Sequence, residues 1–198
     1  MKCKGMTNND KKWMNLALSE AKSAAECGDV PVGAVVVYDG RVVSRAQNRV
    51  ERLKDPTAHA EMLAIREASM VLGYERLLGA SLYVTLEPCT MCAGAIILAR
   101  LKKLVYGAAD PKTGACGSLN DFVRDGRLNH RVEVTGGTLG NSCSKLLRDF
   151  FREVRELNNN RIKSNLPERC ERGRIGTPGK RVCLTAPWVR IPPSPFCL

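Results

Sequence analysis

The stretch "ASLYVTLEPCTMCAGAIILARLKKLVYGA", residues 80–108, decides the fold. "ASLYVTLE" is a short run rich in β-branched and aromatic residues, which predicts a strand. Pro88 then opens a helix, because proline is tolerated where the first N–H lacks a partner anyway. That helix carries Cys89, Cys92 and the apolar "AGAIILA", and "KKLVYGA" is the next strand.

The flanks extend the pattern. Residues 9–27 place Trp13, Met14, Ala17, Ala21 and Ala24 near helical spacing, with Gly28 as a stop. "VPVGAVVVY" reads as a buried strand, "DG" at 39–40 as a hairpin turn, and "RVVSRAQN" as the returning strand. Residues 49–56 form a polar loop ending at Pro56. Thr57 is the expected N-cap of a helix through about Leu72, ended by Gly73. Towards the C-terminus, "ADPKTGACGSLND" is a Gly-containing loop and "RVEVTG" a fifth strand. A last helix starts near Ser142, with Leu146, Leu147, Phe150, Phe151 and Val154 on or near one face. The order predicts an α/β fold: one five-stranded sheet with helices packed on it.

The chain's 198 residues suffice for one domain with a real core. Thirty-one Lys and Arg against 20 Asp and Glu leave a net charge of +11, which favours a polyanionic partner, nucleic acid above all. No apolar run approaches the roughly 20 residues of a membrane span, and the N-terminus lacks an apolar signal core. A reducing, cytoplasmic setting is the expectation. Nine cysteines, an odd number without a secretion signal, argue against a disulfide framework.

Only Cys89 and Cys92 form a close pair. At the start of a helix they lie on one face, where free N–H groups and the positive end of the dipole favour thiolates. Thiolates and a neutral imidazole are zinc ligands, and His59 also sits at a helix start that follows a strand. His59, Cys89 and Cys92 could converge on one ion, leaving a fourth position open as in a catalytic zinc site. Glu61 stands two residues beyond His59, a spacing that does not put both on one helix face. At a helix mouth they need only reach one water, His59 through the metal and Glu61 through the proton. That geometry predicts the Glu61 carboxylate within about 2.6–3.2 Å of the open position. Two alternatives remain: a thioredoxin-type redox pair, and a structural zinc completed by Cys116 or Cys143. His130, in a polar loop, is expected to be a surface or hydrogen-bonding residue.

"HAE" followed by "PCTMC" resembles the H-x-E…P-C-x-x-C signature of the zinc nucleoside and nucleobase deaminases. The likeness to the bacterial tRNA-specific adenosine deaminases runs through about residues 8–157. It includes "VPVGAVVV", "DPTAHAEMLAIREA", "LYVTLEPCTMCAGAI", "GAADPKTGACGSL", "NHRVEVTGG" and "DFFR". The resemblance implies a three-layer cytidine-deaminase-like fold, with a mixed sheet between helices. It implies one zinc per subunit on His59, Cys89 and Cys92, with Glu61 as the proton shuttle in hydrolysis of a wobble adenosine to inosine. It further implies contacts to the tRNA anticodon stem-loop from Asn48, Asp110, Lys112, Phe151 and Arg152, and a homodimer. Phe150 and Phe151 have a simpler alternative in core packing, expected for at least one of them. Two other functions compete: deamination of a free base or nucleoside of guanine or cytosine type, and RNA binding without catalysis.

The expected division is a deaminase domain over 7–157 and a basic, Pro-rich tail over 158–198. Six of the ten prolines follow residue 166, with no usable periodicity, and such segments rarely pack. The tail admits a second reading. "GTPGKRV" (176–182) and "PWVRIPP" (187–193) can be back-translated into an anticodon arm with a serine anticodon and a T arm. On that reading the frame runs into a tRNA gene, and the tail is a translated accident.

Overall fold

A computed structural model describes residues 8–164 of the chain. Five strands form one mixed sheet in the order β2-β1-β3-β4-β5: β1 (Gly33–Tyr38), β2 (Arg41–Gln47), β3 (Ser81–Leu86), β4 (Lys103–Ala108) and β5 (Glu133–Thr135). β1 runs antiparallel to both β2 and β3, whereas β3, β4 and β5 are mutually parallel. The helices are α1 (Asn8–Glu26), α2 (Val50–Leu53), α3 (Ala60–Leu72), α4 (Thr90–Leu98) and α5 (Gly140–Ser164).

The central strands are apolar on both faces, as a sheet covered on both sides requires. Along β1, Ala34 and Val36 join Leu82, Val84 and Leu104 in a core that includes α3 and α4 residues. Val35 and Val37 alternate to the other face, with Tyr83, Val105 and the α1 residues Met14, Ala17 and Leu18; Leu146 and Leu147 of α5 pack there too. The three-layer mixed fold implied by the resemblance is therefore present. Gly33 lets α1 approach β1: a Cβ there would lie 2.5 Å from the backbone nitrogen of Ala21.

Several local expectations differ. The loop over 49–56 contains the short helix α2, whose first turn is held by Asp29: its Oδ1 accepts the N–H groups of Glu51 (2.8 Å) and Arg52 (3.4 Å). Thr57 does not cap α3. Its N–H and hydroxyl both donate to Asp55 Oδ1, at 2.8 and 2.7 Å, and His59 is the N-cap instead. Pro88 likewise precedes α4 rather than opening it, because Cys89 is the extended cap residue (φ −73°, ψ 176°). α5 continues through Ser164, across the expected domain end at 157; the next proline is Pro167. The remainder of the tail lies outside the described residues. Among those described, no helix is long and apolar enough to cross a membrane.

Candidate metal centre and cleft

His59 and Cys89 occupy the same structural position, the N-cap, on two neighbouring helices. Cap residues leave the helical path, so their side chains can turn towards the free N–H groups of the first turn. Cys92 lies on the first turn of α4 and is fully buried. His59 Nδ1 stands 3.7 Å from Cys89 Sγ and 3.5 Å from Cys92 Sγ. The three ligand atoms lie within 4.8 Å of one another, and no other His, Cys, Asp or Glu group among the described residues forms such a cluster. Cys116 and Cys143 are buried elsewhere and do not complete a fourth ligand. No disulfide occurs among the described residues.

The three groups shift one another's protonation strongly. Hydrogen bonds from Cys92 and then His59 pull the Cys89 thiol down to about 4. Cys92 moves upward, because it donates to Cys89 and is buried. The pair thus keeps one proton between its two sulfurs. His59 is raised, chiefly by its hydrogen bond with Cys89 and against its burial.

Glu61 sits in the first turn of α3 and is only 4% exposed. Burial raises its pKa above the ordinary carboxylate range; contact with Cys92 and the nearby His59 opposes the rise. Its oxygens fall outside the ligand cluster but its side chain lines the same cleft. A cleft of about 260 Å³ opens here, lined by Val30, Asn48, His59, Glu61, Cys89 and Asp110 among others. Asn48 is 6% exposed, and its amide has no side-chain partner among the described residues, although its N–H donates to Val32. That amide is free to read a ligand.

The remaining expected residues divide. Asp110 lines the cleft, but its carboxylate is engaged by its own loop. It accepts the N–H of Lys112 (2.9 Å) and Thr113 (3.3 Å) and the Thr113 hydroxyl. Lys112 is exposed beside Thr113, which also lines the cleft. Phe151 and Arg152 do not line it. Phe151 is 42% exposed and meets Phe150 edge-on at 5.5 Å, and Arg152 pairs with Asp149 at 3.0 Å. Neither phenylalanine joins a core cluster, contrary to the core-packing alternative. His130 accounts for itself through a 2.7 Å hydrogen bond to the Leu101 carbonyl.

Sequence reasoning missed Glu87, a buried carboxylate on the cleft wall two residues before Cys89. Burial opposes its ionisation, yet donors from Ser118, Asp110 and Cys116 outweigh that and hold its pKa below the usual range. Its position between an apolar strand and the cysteine pair was the available signal.

Known proteins share this sequence and fold. Residues 8–155 match the model of the MafB19-like deaminase family. The tRNA-specific adenosine deaminase of Bacillus subtilis is 50% identical over 147 residues, covering 74% of this chain and 91% of the relative. That of Agrobacterium fabrum is 53% identical over 143 residues, 72% of this chain and 94% of the relative. A structure solved in work on A-to-I editing by tRNA:A34 deaminases superposes with a TM-score of 0.67 at 51% identity. It covers 69% of this chain and 99% of its own. The guanine deaminase of Nitrosomonas europaea superposes at 0.61 with 27% identity, covering 71% and 83%. With identity near one half over almost the full length of such relatives, this chain belongs to the tRNA-specific adenosine deaminases.

Proposed function

We propose that the chain hydrolyses adenosine to inosine at the wobble position of a tRNA anticodon, releasing ammonia. The observation that carries this reading is the convergence of His59, Cys89 and Cys92 beside buried Glu61, in a chain half identical to tRNA-specific adenosine deaminases and to a structure from work on tRNA:A34 deaminases. The guanine deaminase shares the fold at much lower identity, so a free-base substrate is the alternative.

The donor set suits zinc. Tetrahedral zinc with metal–sulfur bonds of about 2.3 Å and metal–nitrogen bonds of about 2.05 Å needs nitrogen and sulfur about 3.6 Å apart. The two observed separations, 3.5 and 3.7 Å, bracket that value. They support Nδ1 of His59 as the ligand atom. When bound, zinc supplies a Lewis acid that lowers the pKa of a water towards neutrality.

Glu61 is assigned the proton traffic. It takes a proton from the water that adds at C6 of adenine and delivers it to ring N1. It then takes the remaining hydroxyl proton to the C6 amine, which departs as ammonia. Its burial suits this task, because an acid–base group works best with a pKa near the operating pH. Asn48 offers an amide that can both donate to and accept from the purine edge.

Asp110 shapes the loop wall of the cleft; outside it, exposed Lys112 meets phosphate, and Phe151 and Arg152 border the anticodon arm. An exposed ring such as Phe151 can stack on a base. The net charge of +11 supports a polyanionic substrate. We further propose a homodimer in a reducing cytoplasm, consistent with free thiols among the described residues. We assign the deaminase domain to 7–157, with α5 running on to Ser164, and the tail beyond that helix is dispensable. The test is incubation with an arginine tRNA bearing a wobble adenosine, with inosine located by mass spectrometry. Inosine at that position is expected; its absence would overturn the assignment.

A further inference from the structure

We propose that Glu87 is a positioning residue that locks the loop over 110–118 against the metal-bearing helix mouth, and so sets the width of the substrate cleft. The proposal rests on the reading of the cleft as the site of the deaminated base.

Glu87 directly follows β3 and precedes Pro88 and Cys89. It is 2% exposed. Such a carboxylate is tolerated only when its lone pairs are filled. Here one loop fills them. Oε1 accepts the N–H groups of Cys116 (3.1 Å) and Ser118 (2.9 Å). Oε2 accepts the N–H of Asp110 (3.0 Å) and the Ser118 hydroxyl. All four partners are donors, so the site selects a carboxylate and not an amide, whose NH₂ would face N–H groups.

The same loop is pinned on its other side by the segment that carries the ligands. Ala115 N–H donates to the Pro88 carbonyl at 2.9 Å, and Gly114 pairs with Cys89 as an antiparallel bridge. Gly114 closes the clamp. A Cβ there would lie 2.5 Å from both the Glu87 carboxyl carbon and the Asp110 carbonyl. The loop therefore packs on Glu87 with no room for a side chain. The loop contributes Asp110 and Thr113 to the cleft wall, which Asn48 and Glu51 also line. Holding an irregular loop costs about 1–2 kcal/mol of backbone entropy per residue, which a single buried acceptor with four donors helps to offset.

The zinc-loaded full-length enzyme tests this with Glu87→Gln, Gly114→Ala and the double variant. Hydrogen exchange over 110–118 should quicken at least tenfold in each, while the exchange of β1 and β3 stays at the wild-type rate. Zinc should remain near one per chain. KM for the tRNA should rise about tenfold or more, with kcat falling less. The two changes should be non-additive, because both break one clamp. Ser118→Ala, a milder change, should give the same pattern at smaller amplitude and serves if Glu87→Gln does not fold. Unchanged exchange over 110–118, a loss confined to kcat, loss of zinc, or full additivity would each overturn the proposal. If the wild-type enzyme deaminates a free purine and not tRNA, the substrate reading fails. The KM for that purine then tests the clamp.

Discussion

Cys92 Sγ lies 3.5 Å from His59 Nδ1, although 33 positions separate the two residues in the chain. The contact exists because α3 and α4 start at the same side of the sheet, α3 entered through a polar loop after β2 and α4 directly after β3. His59→Ala and Cys92→Ala should each reduce bound zinc well below one per chain and abolish deamination. Metal analysis of purified protein checks this. Full zinc in either variant would place the metal elsewhere.

Glu61→Gln separates metal binding from proton transfer. The variant should retain about one zinc per chain and lose about 10²–10⁴-fold in kcat, the usual contribution of a positioned acid–base group. Loss of zinc would make Glu61 a ligand and remove its role as a shuttle.

Asn48→Ala tests substrate reading. The Asn48 amide lines the cleft with no side-chain partner of its own among the described residues. Its loss should lower kcat/KM about tenfold, near the cost of one hydrogen bond, without altering zinc content. Wild-type kinetics would take Asn48 out of the site.

The stability of the fold should decline in alkali through Cys143. Burial pushes its thiol from 9.0 up to about 11. Between those values the unfolded chain has released a proton that the folded chain keeps. The stabilisation is complete below about pH 9 and is lost as pH rises through about 11, up to about 2–3 kcal/mol in all. Urea unfolding from pH 8 to 11 should show that decline, and Cys143→Ala should make it shallower, with buried Cys116 still contributing. An equal slope in both proteins would contradict the assignment.

Truncation after Ser164 should leave zinc content and turnover unchanged. The match to the MafB19-like deaminase family ends at residue 155. A large loss of turnover would give the tail a function.

Much of this was legible in the chain because the strands are apolar on both faces and the helices between them are periodic. "VPVGAVVV" and "LYVTLE" read as buried strands, and their alternating residues do feed both cores. The clustering of His59, Cys89 and Cys92 was legible because C-x-x-C and H-x-E are local patterns. Cap positions were not. Thr57 is a favourable cap by type, but Asp55 engages both its N–H and its hydroxyl, a contest no propensity records. Glu87 was marked only by its place between a strand and the cysteine pair. A single Glu after a strand carries no periodic signal, and its four donors come from residues 23 to 31 positions away.

The most direct test compares single-turnover rates of the zinc-loaded enzyme on an anticodon stem-loop with a wobble adenosine, on free adenosine and on free guanine. The account predicts inosine in the stem-loop at the wobble position, little or no turnover of the free compounds, and loss of activity in Glu61→Gln. Rapid deamination of guanine with an unmodified stem-loop would contradict it.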